Sequence, residues 1–114
     1  MKGTMLIISP SGGIKTVPLS KPPEVDTLQE EVGGWIEQIS GFLSVDYRGT
    51  VYPCVAFGNE EAKLPHQNLR PNDAATRMWA AALQRRGLDL ARAGDFLAGK
   101  IIVIFGDQEL MKAL

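Results

Sequence analysis

The sequence predicts an α+β domain: one mixed, mainly antiparallel sheet of about five strands with two principal helices packed on it. Three observations carry that prediction. Thr4–Ile8 and Ile14–Leu19 are β-rich runs joined by the turn cluster Ser9-Pro-Ser-Gly-Gly13, and Trp35–Val45 and Thr50–Phe57 are joined by Asp46-Tyr-Arg-Gly49. Two other segments space their apolar residues as helices do. Finally, Lys100-Ile-Ile-Val-Ile-Phe105 is almost continuously apolar, which requires cover on both faces and places it at the sheet centre. A chain of 114 residues can bury about two-thirds of its extended surface, enough for one core, so residues 1–114 form a single domain.

Taken in order, the first hairpin ends at Ser20-Lys-Pro-Pro23, a stiff connector that excludes helix and central strand. Glu24–Val32 follows as a short helix with Val25, Leu28 and Val32 on its apolar face, stopped by Gly33-Gly34 with Gly33 left-handed. The second hairpin has an expected bend at Ser40-Gly41, and Pro53 forces an edge or a bulge on its return strand. Gly58–Pro71 is the longest irregular stretch. Asn72 or Asp73 caps a helix running to about Arg86, with Ala75, Met78, Trp79, Ala82 and Leu83 as its buried stripe. Leu88–Ala93 allows another short turn of helix, and Asp107 caps a terminal one after the central strand.

Composition excludes several classes. Twelve basic and thirteen acidic side chains give a net charge of -1, too little positive charge for a dedicated nucleic-acid coat. The apolar N-terminal run turns polar at Ser9, too short for a signal-peptide core, and no apolar run has the length of a membrane span. A lone cysteine, Cys54, leaves no intrachain disulfide and suits a reducing cytoplasm. It reads as a small buried hydrophobe or as a reactive thiol. His66, the only histidine, reads as a solvated loop residue. No phosphate loop, dinucleotide fingerprint, zinc, EF-hand or Ser/His/Asp pattern occurs, so neither metal nor cofactor is expected. Trp35 and Trp79 are expected in the core.

Four blocks carry a resemblance. Leu28-Gln-Glu-Glu-Val-Gly-Gly-Trp-Ile-Glu37 resembles the LQxxVGGxIE block of a family of small phage- and plasmid-encoded proteins of unknown function. Asn59-Glu-Glu-Ala-Lys-Leu64, Asn72-Asp-Ala-Ala-Thr76, and Asp95-Phe-Leu-Ala-Gly99 with the following strand are similar to that family's later blocks, in the same order. Ala62 stands where the family has Gly, and Pro65–Arg70 runs longer. The resemblance implies a mobile-element origin and an accessory role, but no chemistry.

Two polar constellations remain. Asn59, Glu60, Glu61 and Lys63 read as an Asx-type turn leaving the Thr50–Phe57 strand, as a partner-binding cluster, or as an acid/base site, for which neither glutamate has a nucleophile or second base nearby in sequence. Charge is also segregated: Glu24–Glu61 holds eight acids and one base, whereas Ala62–Lys100 holds seven bases and three acids. Arg70, Arg77, Arg85, Arg86 and Arg92 read as an anion-binding patch or as an ordinary solvated face. The expected function is therefore a non-enzymatic accessory protein binding a host protein, a defence factor being one candidate. The alternative is a binder of an anionic small molecule such as a nucleotide signal, with donors from Arg70, Arg77, Asn59 and Asn72. An uncharged Thr50–Phe57 edge flanked by Trp35, Phe42 and Tyr47 further predicts a homodimer through the second hairpin.

Overall fold

A computed structural model describes residues 1–114, the side chain of Arg92 excepted. The elements are β1 (Gly3–Ile8), β2 (Ile14–Leu19), α1 (Val25–Val32), β3 (Ile36–Gln38), β4 (Ser44–Tyr47), β5 (Thr50–Pro53), β6 (Val55–Asn59), α2 (Asp73–Gln84), α3 (Leu90–Ala93), β7 (Ile101–Gly106) and α4 (Gln108–Lys112). Five strands form one sheet in the order β2-β1-β7-β6-β3. Each of its four pairings is antiparallel, so the sheet is antiparallel throughout and not mixed.

The last strand completes the sheet. β7 sits between β1 and β6 and joins the two hairpins, and Ile101–Phe105 is buried on both faces as its apolar run requires. Alternation sends Ile102 and Ile104 into a core with Leu28 and Val32 of α1 and Leu110 of α4. Ile101, Val103 and Phe105 enter the opposite core with Ala75, Trp79, Ala82 and Leu83 of α2. The two principal helices thus cover opposite faces. Val25, expected on the apolar face of α1, is instead 57% exposed as the first residue of the helix, and Leu28 and Val32 alone are buried.

The second hairpin is one bent ribbon shared by two sheets. β3 pairs with β6 in the main sheet, whereas β4 and β5 form a separate two-stranded ribbon. Continuity across the bend comes from Ile39 N–H donating to Ala56 O (2.8 Å) and Cys54 N–H donating to Leu43 O (3.0 Å). Both breaks fall where the residues demand them. Gly41 has φ +77°, and a Cβ there would lie 2.5 Å from Leu83 Cδ2. Pro53 closes β5 just before Cys54.

This bend consumes the aromatic surface that predicted a dimer. Phe42 is fully buried, and Tyr47 and Tyr52 lie against Phe105 with ring centroids 5.2 Å and 4.7 Å away. Trp35 lies on a different edge, that of the main sheet.

β1 and β7 approach closely at Gly3 and Gly106, which face each other. A Cβ on Gly106 would lie 2.6 Å from both Lys2 O and Leu110 Cδ2. Gly106→Ala is therefore expected to destabilise the fold by at least about 2 kcal/mol, since backbone cannot yield as a side chain does. A lower urea midpoint at unchanged slope is the expected result.

Candidate functional site

Two buried asparagines build the scaffold of the site. Asn59, at the end of β6, donates from Nδ2 to Val32 O (3.1 Å) and accepts the Glu61 N–H on Oδ1 (2.8 Å). It ties the end of α1 to the turn that leaves the sheet. Asn72 caps α2 by accepting the Ala75 N–H (3.0 Å), while its Nδ2 donates to Ile8 O and Gly99 O (2.9 and 2.8 Å). Beside it, Asn72 N–H donates to Leu97 O, and Leu97 N–H donates to Thr76 Oγ1 (2.8 and 2.9 Å). The Asn72…Thr76 pair thereby fixes the segment leading into β7.

Between that segment and β3 lies a cleft of about 260 Å³. β3 contributes Glu37, Gln38 and Ile39, the turn contributes Ala62 and Lys63, and the facing wall is Asp95, Phe96, Leu97 and Ala98, over Trp79 and Ile101. Trp79 is oriented by its indole N–H, which donates to Ser40 O (3.0 Å). At the mouth, Lys63 Nζ meets Asp95 Oδ1 at 2.5 Å and lies 4.3 Å from the Phe96 ring centroid. The Lys63 hydrogen bond, with a second from the Phe96 N–H, holds the Asp95 carboxyl below its ordinary pKa. Lys63→Ala should let that pKa rise toward the usual carboxylate value, which a carbon-detected NMR titration of Asp95 would read.

Trp35, two residues before Glu37 of the cleft wall, is 66% exposed, contrary to the core position expected of it. Its carbonyl accepts the Glu60 N–H (2.9 Å), which extends the β3–β6 ladder by one pair. Strand alternation then carries Trp35, Glu37 and Ile39 to the α2 face of the sheet. Only Ile39 lies far enough inward to be buried. The polar Glu37 two residues on was the available signal that Trp35 faces outward.

Not every residue singled out by sequence meets here. Asn59 and Lys63 line the cleft, and Glu60 adjoins Trp35, but Glu61 pairs with His66 in the turn (2.6 Å). Asn72 is fully buried, and its amide is committed to backbone. Arg70 lines a groove with Glu31 and Lys100, and Arg77 a different one with Asp46 and Arg85, so the donors proposed for an anion lie apart. The Arg85 guanidinium donates to Ser44 Oγ (3.0 Å). Arg92 was grouped with these arginines, and its side chain lies outside the described residues. Glu37, Asp95 and Phe96 join the site although their isolated positions in sequence gave no pattern.

Cys54 is buried, with its thiol directed at Phe42 O (3.6 Å). Burial pushes its pKa from 9.0 up to about 12, against an opposing pull from Arg85. Because the folded state holds this proton more tightly, its stabilisation is complete below pH 9.0 and is lost as pH rises toward about 12. A decline in stability of up to about 1.4 kcal/mol per pH unit, absent in Cys54→Ala, is expected above pH 9.0. Alkylation of the thiol by iodoacetamide at neutral pH should require unfolding.

No group of three or more His, Cys, Asp or Glu placed to hold a metal occurs among the described residues. No helix among them is long and apolar enough to cross a membrane. The fold and cleft define the class: a small α+β domain with an open-edged antiparallel sheet and a side-chain-sized cleft along that edge. No protein-family model matches the chain, and comparison with curated proteins and with solved structures yields no match.

Proposed function

We propose that this chain is a non-enzymatic binding module that holds a partner protein at the β3 edge. Its blocks resembling small phage and plasmid proteins suggest the setting: an accessory protein of a mobile element, acting in the cytoplasm on a host protein such as a defence factor. The observation that carries the reading is Trp35, 66% exposed where the chain enters the unpaired edge strand, two residues before Glu37 of the cleft wall. Tryptophan is enriched among the anchors of protein–protein contacts. At about 260 Å³ the cleft is below the roughly 300–1,000 Å³ of small-molecule pockets and matches a single side chain. Of the two acids that line the cleft, Glu37 and Asp95, the second is ion-paired with Lys63.

Affinity capture from a bacterial lysate tests this, using the native chain and Trp35→Ala in parallel. The expected result is a reproducible partner recovered by the first and lost by the second. Equal recovery by both would reject the β3 edge as the contact. Binding of an anionic small molecule is the competing proposal, favoured by the grooves that pair Arg77 with Arg85 and Arg70 with Lys100. No thermal shift with mono-, di- or cyclic nucleotides would reject it. Homodimerisation through the second hairpin is a separate proposal that rests on Leu43 and Val51, 43% and 49% exposed. A solution mass near 12.4 kDa by light scattering would reject it.

A further inference from the structure

The two edges of the main sheet are unlike each other. β2, at one end, carries Lys15 and Pro18, two of the devices by which an edge resists pairing with another chain. β3, at the other end, has neither proline nor lysine among Ile36, Glu37 and Gln38, and only its three-residue length and the Glu37 carboxylate restrict pairing there. Its ladder with β6 runs from Trp35 O to Ile39 N–H, so the odd-numbered residues point their backbone groups inward. The N–H and C=O groups of Ile36 and Gln38 consequently face outward along an open edge. That is the geometry in which an extended peptide adds to a sheet.

Charge selects the peptide. The Lys63 ammonium is taken up by Asp95, so these two cancel at the mouth of the cleft. Glu37 and Glu60 have no cation within ion-pairing distance among the described residues, and strand alternation sets both on the face that carries Trp35. Two uncompensated carboxylates beside an exposed indole favour a cation, which the ring face attracts as well.

Resting on the β3-edge reading above, we infer that the occupant is an extended segment of the partner bearing lysine or arginine at alternate positions. It adds as a further strand alongside β3, and its basic side chains meet Trp35, Glu37 and Glu60. Backbone hydrogen bonds to Ile36 and Gln38 supply attachment, and the two carboxylates supply the preference for basic sequence.

The test is an NMR titration of the isotopically labelled chain with an acetylated, amidated heptapeptide of alternating lysine and valine. Two controls accompany it: the same peptide with glutamate for lysine, and one N-methylated at alternate residues to remove strand hydrogen bonding. Saturable shifts at the Ile36 and Gln38 amides and the Trp35 indole are expected. Affinity should fall at least about tenfold with either control peptide and with the double variant Glu37→Lys, Glu60→Lys. Both positions in that variant are exposed, and an otherwise unchanged amide spectrum establishes that it folds. Equal binding of the glutamate peptide, shifts confined to β2 or β5, or no shift at about 1 mM lysine peptide would overturn the inference. So would concentration-dependent shifts at β3 without peptide, which would assign the edge to a second copy of the chain. A lysate partner lost on Trp35→Ala, in the face of any of these results, would leave the binding module standing and remove only the basic strand.

Discussion

Asn72→Ala should lower unfolding free energy by about 3–5 kcal/mol, the largest effect expected of any single polar truncation in this protein. The cap on α2 is lost, at a typical cost of about 1 kcal/mol. The carbonyls of Ile8 and Gly99, which share the Asn72 amide, are also left without that donor in a buried site, at roughly 1–2 kcal/mol each. Since domains of this size hold only about 5–15 kcal/mol in total, the variant should sit near the limit of folding. Asn72→Asp separates the contributions. It keeps the oxygen that caps α2 but replaces the donor with a second oxygen facing two carbonyls, so it should be no more stable than the alanine variant. Urea unfolding of the three proteins measures this, and an aspartate variant close to native stability would show that the cap alone matters.

The second large effect concerns binding. Trp35→Ala removes an indole that is 66% exposed, so folding stability should change by less than about 0.5 kcal/mol. Affinity for the captured partner should nevertheless fall by about thirtyfold or more, the scale of a loss of 2 kcal/mol at an aromatic anchor. Trp79→Ala should do the reverse: it is 9% exposed and its indole is bonded to Ser40 O, so its truncation should cost about 3–5 kcal/mol of stability. Calorimetric titration alongside thermal unfolding distinguishes the two tryptophans, both of which the sequence reads as core residues.

That contrast shows where legibility ended. The apolar run Ile101–Phe105 announced a central strand, the stripe from Ala75 to Leu83 announced the face of α2, and Gly33, with φ +77°, announced the end of α1. These are local periodicities and local backbone needs, which a sequence carries directly. The division of the second hairpin between two sheets was half visible: Gly41 and Pro53 marked the breaks, but not that β4 and β5 would leave the main sheet. Val25 and Trp35 failed because burial at an element's end depends on where its neighbour stops. For the site, Asn59 and Asn72 were conspicuous as polar residues in distinctive blocks, yet both serve the backbone. The cleft instead joins Glu37 to Asp95 across 57 intervening positions, which only the sheet order brings together.

The claim that a partner docks along β3 is tested most directly by amide hydrogen exchange at Ile36 and Gln38. In the free chain these outward N–H groups should exchange rapidly, while Ile39, bonded to Ala56 O at 2.8 Å, exchanges slowly. With the captured partner bound, the account predicts that Ile36 and Gln38 become protected together by at least about tenfold. Continued rapid exchange at both, in a complex shown to be saturated, would contradict it.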